Sequence, residues 1–185
     1  MSLRSGLTLI RNRKQQAKAA LEACHVMDLM DSFSATVVST IWVGLDTDKS
    51  DIDLLFQYQD REDFIRDCKQ YFSQHEQFIV KHKKDCVIVR FIFHDFLFEL
   101  YASQIPVEKQ PAHIHFQVMK RLSELGGEAL RRSIVTLKHQ GLKTEPAIAK
   151  LLNLSGDPYE QVMKLADCSD ESLSELIAKN SQIDN

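Results

Sequence analysis

A chain of 185 residues, 44% hydrophobic and 26% charged with only 6 Gly and 4 Pro, is long enough for one domain with a real core, or for a domain plus a helical appendage. Its formal net charge of −3 excludes a global basic field for nucleic acid, leaving only a local patch, and its apolar runs are too short to span a membrane. Four scattered cysteines, Cys24, Cys68, Cys86 and Cys168, form no CxxC pair; with a first stretch unlike a signal peptide, they set the expectation of a reduced, cytoplasmic protein.

In chain order, residues from about Asn12 to Met30 read as a helix. Ala17, Ala20, Leu21, Cys24 and Met27 recur at helical spacing, while Lys14, Lys18 and Glu22 fall on another face. Asp28 interrupts that stripe in the last turn. Ala35 to Val43 is rich in β-branched residues and predicts a strand closed by Gly44, with Trp42 a core residue within it. Asp51 to Tyr58 predicts a second strand. Asp60 to Ser73 predicts a helix: Asp60 is the N-cap, Glu62 and Asp63 suit the first turn, and Phe64, Ile65, Cys68, Tyr71 and Phe72 make the apolar stripe. Phe78 to His82 and Cys86 to Phe93 are strands joined at Lys83-Lys84-Asp85, and His94-Asp95 turns into a last strand, Phe96 to Ala102.

From Val107 to Ile183 every periodic segment reads as helix, with breaks at Gly126-Gly127, Gly141 and the Gly156-Asp157-Pro158 turn. The predicted class is α+β: about five strands, mostly joined by short antiparallel turns, with flanking helices over residues 1–104, then an all-helical region, 105–185, packed on that core. Internal repeats and low-complexity linkers are absent from the sequence.

The chemistry concentrates in DTDKSDID, residues 46–53. A calcium loop needs Gly at its sixth position and a bidentate Glu at its twelfth; counted from Asp46 these are Asp51 and Gln57, so that template fails. A two-metal template fits better. Asp51 and Asp53 are two apart and, on a strand, share a face while Ile52 and Leu54 take the other. Two such carboxylates can hold a pair of Mg²⁺ ions ~3.5–4 Å apart on a triphosphate. The candidate third carboxylate is Glu99, set in the apolar run Phe96-Leu97-Phe98-Glu99-Leu100-Tyr101, where burial without a metal or partner is costly. The plain alternative is a solvated strand entrance.

Residues 39–53, STIWVGLDTDKSDID, resemble the signature of the DNA polymerase β-like nucleotidyltransferases: a Gly-Ser pair, three residues, a Gly, five residues, then Ser-Asp-x-Asp. Ser39-Thr40 stands in place of the pair, Gly44 follows, and Ser50-Asp51-Ile52-Asp53 completes the pattern. The resemblance implies a mixed sheet with flanking helices, two Mg²⁺ ions and an NTP. It makes Asp51 and Asp53 metal ligands, and Glu99 a metal ligand or the base for an attacking hydroxyl. Ser39, Thr40 and Ser50 would lie near the triphosphate. One departure stands out: Ser39 replaces a glycine that lets backbone approach phosphate closely.

Gln110-x-Ala112-x-x-His115, Gly141-Leu142-Lys143-Thr144-Glu145-Pro146-Ala147 and Gly156-Asp157-Pro158-Tyr159 are similar to motifs of one uncharacterised bacterial family within that superfamily, a domain of unknown function. The likeness covers roughly residues 35 to 165 and adds His115 and Lys143 to the expected nucleotide-binding set. Each has a structural alternative. His113 and His115 point in different directions on a helix, so His115 alone reads as a packed histidine; Thr144 and Asp157 read as helix caps, with Lys143 beside a helix N-terminus where anions bind. Asp46 and Asp48 read as loop residues; Arg131, Arg132 and Lys138 read as a solvated helix face, with the lining of a nucleotide or RNA channel as the alternative.

The expected reaction is Mg²⁺-dependent transfer of a nucleoside monophosphate from an NTP to a hydroxyl, in a cleft walled by the helical region. The alternatives are a nucleotide-binding module that has lost its chemistry, which Ser39 favours, and a nucleotide-polyphosphate hydrolase, a label some relatives carry. A small molecule, a protein side chain or an RNA end are all open as acceptor; the charge of −3 argues against long nucleic acid, and no membrane partner is expected.

Overall fold

The structure is a computed structural model that describes residues 3–181, with side chains from Arg13 to Asn180. Contacts divide the chain into two units: Met1–Trp42 with Ser50–Gln110, and Val43–Lys49 with Pro111–Asn185. The signature loop between Trp42 and Ser50 thus belongs to the second unit, although both of its flanks belong to the first.

In the first unit α1 (Leu3–Ala23) and α2 (Val26–Ser32) precede β1 (Ser34–Val37). The single helix expected to Met30 is broken at His25, whose φ of 61° is left-handed. Histidine tolerates that region better than most residues, and the His25 ring pairs locally with Asp28 at 2.9 Å. Ala17, Ala20, Cys24, Val26 and Leu29 from both helices are fully buried. A 3₁₀ turn at Thr40–Val43 replaces the second half of the expected strand, so Trp42 lies on that turn.

β2 (Ile52–Gln57), α3 (Arg61–Phe72), β3 (Glu76–His82), β4 (Cys86–Phe93) and β5 (Phe96–Ser103) complete the unit with a 3₁₀ turn at Val107–Lys109. Asp60 caps α3 as expected, its carboxylate accepting from the Glu62 and Asp63 amides at 2.7 and 3.3 Å. The strands form one mixed sheet in the order β1-β2-β5-β4-β3. β1 and β2, β5 and β4, and β4 and β3 are antiparallel; β2 and β5 are parallel, which the reading by short turns did not foresee. Parallel neighbours need a crossover, and here α3 and the β3–β4 hairpin lie between them in sequence.

Strand alternation separates the two faces of this sheet. Ile52, Leu54 and Phe56 of β2, Phe98 and Leu100 of β5, and Val87, Val89 and Phe91 of β4 are fully buried in one apolar core with the helices. Phe91 stacks on Phe98 at 4.9 Å and on Phe72 of α3 at 4.5 Å, which fixes helix on sheet. The opposite face carries Asp53, Glu99 and Arg90, all half-buried.

The second unit holds α4 (Pro111–His139), α5 (Thr144–Leu151), α6 (Pro158–Lys164), a 3₁₀ turn at Leu165–Asp167 and α7 (Asp170–Ser181). Leu45 of the signature loop is buried in its core with Val118, Leu122, Ile134, Ile148 and Leu173. α4 is interrupted at Gly127 (φ 58°, ψ −153°), where the sequence placed a break. Gly126 is needed for a different reason: a Cβ there would meet Leu130 Cδ2 at 2.4 Å. Asp157 caps α6, accepting from the Tyr159 and Glu160 amides at 3.0 Å. Thr144 does not cap α5; it is the first residue of the helix, buried, and Lys143 occupies the cap without a side-chain bond. Among the described residues, no helix is long and apolar enough to cross a membrane.

Candidate active site

The two aspartates lie where a turn enters a buried strand. Asp51 immediately precedes β2 rather than lying within it, and Asp53 is its second residue. Backbone bonds tie this entrance to the end of β1: the Val38 amide donates to the Asp53 carbonyl at 2.9 Å. Ser39 adds a second tie. Its side chain is fully buried, and its hydroxyl donates to the Asp51 carbonyl at 2.6 Å while accepting from the Ile41 amide at 3.3 Å. Ser39 is not in the left-handed region, so the glycine it replaces is not required here for its dihedral freedom. Thr40 opens the adjoining 3₁₀ turn, half-buried.

α1 holds both flanks of the signature loop. Arg13 donates from Nη2 to the Ser50 carbonyl at 2.9 Å, with its guanidinium 4.9 Å from the centre of the Phe96 ring. Lys14 donates to the Trp42 carbonyl at 2.9 Å. Within the second unit, α4 fixes the loop itself: Ser123 donates to the Val43 carbonyl at 2.6 Å and Lys138 to that of Leu45. Gly44 has φ 70°, and a Cβ there would come within 3.0 Å of Arg131 Cδ. Arg131 also donates to the Ser123 carbonyl at 2.9 Å. Arg131 and Lys138 are therefore structural supports of the signature loop, a correction to the solvated face expected for them; Arg132, exposed and paired with Glu128, fits that expectation.

The carboxylates meet through strand register. Asp53 of β2 is the direct partner of Glu99 of β5, and Glu99 is the direct partner of Arg90 of β4. Direct partners share a face, so Asp53, Glu99 and Arg90 form one row across three strands. Arg90 reaches Glu99 with Nε and Nη2, both on Oε2. Burial pushes the Asp51 carboxyl above its ordinary range and the charge of Glu99 adds to that rise, with Arg90 and Arg13 pulling against it. Asp51, Glu99, Arg90 and Arg13 thus share one electrostatic neighbourhood.

The donor chemistry suits a hard cation such as Mg²⁺, because every candidate ligand is oxygen. Asp51 and Asp53 fit that role: a cation beside Asp51 would offset the burial and the Glu99 charge that raise it. Glu99 as held here does not complete the set, since its carboxylate is committed to Arg90. Correspondingly, no group of three or more His, Cys, Asp or Glu among the described residues is gathered to hold a metal.

His115 and Lys143 belong to the second unit. His115 is buried, with Nε2 3.0 Å from the Tyr159 carbonyl and Nδ1 3.4 Å from a Glu145 oxygen. A nitrogen facing a carbonyl must donate, and one facing a carboxylate donates as well, so the geometry favours the imidazolium. The bond to Glu145 accordingly raises the His115 pKa despite burial. For Glu145, burial acts to raise the carboxyl and is outweighed by His115, its own amide and the charge of Lys143, leaving it lowered. Lys143 itself is exposed.

Sequence reasoning missed Arg90, Arg13, Lys14 and Ser123. Arg90 had a signal. A two-residue turn at His94-Asp95, both at positive φ, places equidistant residues opposite each other, and Arg90 and Glu99 are equidistant from it. The others bind loop carbonyls, for which a sequence carries no pattern.

Several solved structures have a similar chain course. A mutant of the Cid1 poly(U) polymerase bound to MgATP superposes with a TM-score of 0.55 at 13% identity, covering 82% of this chain and 48% of that one. A cytoplasmic RNA terminal U-transferase gives 0.55 at 14% identity over 82% and 45%. The GLD-2/RNP-8 complex gives 0.54 at 12% identity over 94% and 76%. At such identities the likeness shows the fold, which is nucleotidyltransferase-like, and the chain spans about half the length of the first two. The chain matches no curated protein. A family model for a domain of unknown function, DUF4269, matches residues 19–165, and the chain belongs to that family.

Proposed function

We propose that the protein transfers a nucleoside monophosphate from an NTP to a hydroxyl acceptor in a Mg²⁺-dependent reaction. The observation that carries this is the pairing of Asp53 with Glu99 across parallel strands, with Asp51 electrically coupled to the same row. The fold shared with poly(U) polymerase and terminal U-transferase supports it.

In that reaction the acceptor oxygen bonds to the α-phosphorus, the bond from that phosphorus to the bridging oxygen breaks, and pyrophosphate leaves with the electron pair. Asp51 and Asp53 would hold Mg²⁺, which would neutralise charge on the triphosphate and leaving group. Glu99 would either join that set, the proton of the attacking hydroxyl then passing to solvent, or take that proton itself. Ser39 keeps the Asp51 backbone in place, and Arg13 and Lys14 hold the two flanks of the signature loop. Thr40 and Ser50, at those flanks, are the groups nearest in sequence to an incoming triphosphate. In the second unit, exposed Lys143 offers a cation for phosphate, whereas His115 is engaged by Glu145 and Tyr159.

The test is thermal stability of wild type and Asp51→Asn/Asp53→Asn with each NTP, with and without Mg²⁺, followed by pyrophosphate release with hydroxyl acceptors, an RNA 3′ end among them. A ligand bound to the native state raises its apparent stability. A Mg²⁺-dependent shift lost in the double variant supports the proposal. Full turnover in that variant sinks it.

A second reading is a module that binds Mg²⁺–nucleotide without chemistry. Two observations favour it: Glu99 is held by Arg90, and the Ser39 hydroxyl is engaged by Asp51 and Ile41. Tight binding without release of pyrophosphate would select this reading.

A further inference from the structure

Arg90 has no part in the reaction as written above, yet it stands in the row of Asp53 and Glu99 and pairs with Glu99. It is the single charged residue of β4, set between Val89 and Phe91, both fully buried on the opposite face. An arginine and a carboxylate often pair fork to fork, each nitrogen taking its own oxygen. Here Nε and Nη2 both reach Oε2 of Glu99. The pair is partly open to solvent, with side-chain exposures of 39% for Arg90 and 24% for Glu99, so its hold on the carboxylate is reversible.

We propose that Arg90 competes with a divalent cation for Glu99: it neutralises that carboxylate, is displaced from it when a cation binds, and thereby weakens the site for a bare cation. This rests on the nucleotidyl-transfer reading of the same carboxylates. The physical reason is competition. A guanidinium and a metal ion cannot both neutralise one carboxylate, and their like charges repel across a half-buried face. Mg²⁺ dehydrates reluctantly, so a modest added penalty weakens binding of the bare cation, and a nucleotide that brings its own negative charge offsets it. Arg90 is in this sense a positioning residue acting through Glu99.

Two measurements test it, neither needing turnover. In wild type, the Arg90 Nε–H resonance, assigned by its absence from Arg90→Lys, is followed during titration with MgCl₂. It is expected to shift as Mg²⁺ binds; a resonance unmoved at saturation overturns the proposal without recourse to any variant. In parallel, Mn²⁺ binding is read by electron paramagnetic resonance in wild type, Arg90→Gln, Arg90→Lys and Asp51→Asn/Asp53→Asn. Arg90→Gln is expected to tighten Mn²⁺ on the order of tenfold, the scale of second-layer effects on metal sites, while Arg90→Lys, which keeps the charge, stays near wild type. If Mn²⁺ binding depends on the aspartates but Arg90→Gln leaves it unchanged, the role of Arg90 falls and the reading of the site stands. If the aspartate variant binds Mn²⁺ as wild type does, or neither wild type nor Arg90→Gln binds it, both fall together.

Discussion

The two units use buried charge in opposite ways. In the sheet unit, Asp53, Glu99 and Arg90 stand in a row on a half-buried face, and Asp51 beside them is pushed away from its ionised form by burial and by Glu99. In the helical unit, His115 and Glu145 lie against each other, and the second imidazole nitrogen is met by the Tyr159 carbonyl. One arrangement crowds several carboxylates beside Arg90 on a half-buried face; the other is a single closed pair. Perturbed carboxylates of the first kind mark candidate ligand sites, whereas closed pairs serve the fold.

The largest effect should separate these roles. Asp51→Asn and Asp53→Asn are each expected to reduce turnover by ~10²-fold or more, as loss of preorganised charge at a reacting phosphate does. Stability should not fall with it. A carboxyl whose folded pKa is raised costs stability once ionised, a cost absent below its unfolded pKa and fully present above its folded one. At neutral pH Asp51→Asn removes that cost, so melting should be unchanged or higher. A parallel fall in turnover and melting temperature would make Asp51 a structural residue and erase the contrast between the units.

The helical unit should answer the other way. Glu145→Gln leaves a buried imidazole beside a neutral partner, and removing one side of a buried pair costs about 3–5 kcal/mol. Chemical denaturation should register that loss, while a Mg²⁺-dependent nucleotide shift, measured below the new melting point, should persist. Loss of the shift with stability retained would return His115 to the nucleotide-binding set. The pH dependence sharpens the point. The raised His115 pKa contributes stability that is complete below its unfolded value and lost as pH rises through its folded one; the lowered Glu145 pKa contributes stability present above its unfolded value and lost as pH falls through its folded one. The pair therefore stabilises most between the two, and wild type should weaken on the alkaline side of the ordinary histidine range. His115→Gln should flatten that slope in denaturant midpoints taken across neutral pH.

Much of this was legible in the sequence, unevenly. The five strands, α3 with its Asp60 cap, the His94-Asp95 turn and the Gly126-Gly127 break all declare themselves through alternation, capping and turn chemistry, which are local. The nucleotidyltransferase-like fold was visible in the spacing from Ser39 to Asp53. What stayed hidden is non-local. His25 breaks the first helix by a backbone angle that no apolar stripe encodes, and Trp42 falls on a 3₁₀ turn although its neighbours are β-branched. Lys138 and Arg131 look like any solvated cations until α4 brings them to Leu45 and Gly44. The parallel partnership of β2 and β5 depends on a crossover, and with it the meeting of Asp53 and Glu99. The candidate residues were thus readable one by one, whereas their electrical coupling required the sheet.

The smallest expected effect concerns Ser39, the residue that departs from the glycine of the resembled signature. Two explanations make different predictions. If Ser39 serves the fold, Ser39→Ala strands the Asp51 carbonyl and the Ile41 amide in a fully buried place, at about 1–3 kcal/mol. Ser39→Gly loses the same bonds and should cost a further ~0.5–1 kcal/mol in chain entropy, since Ser39 is outside the left-handed region and glycine gains nothing there. If the hydroxyl instead serves a phosphate, both variants should melt near wild type and lose nucleotide affinity. Urea midpoints of the two variants, set beside their Mg²⁺-dependent shifts, divide the cases. A stability loss that grows from alanine to glycine would make Ser39 the tie that keeps Asp51 at the mouth of β2. The departure from glycine would then be a local exchange of backbone freedom for a hydrogen bond.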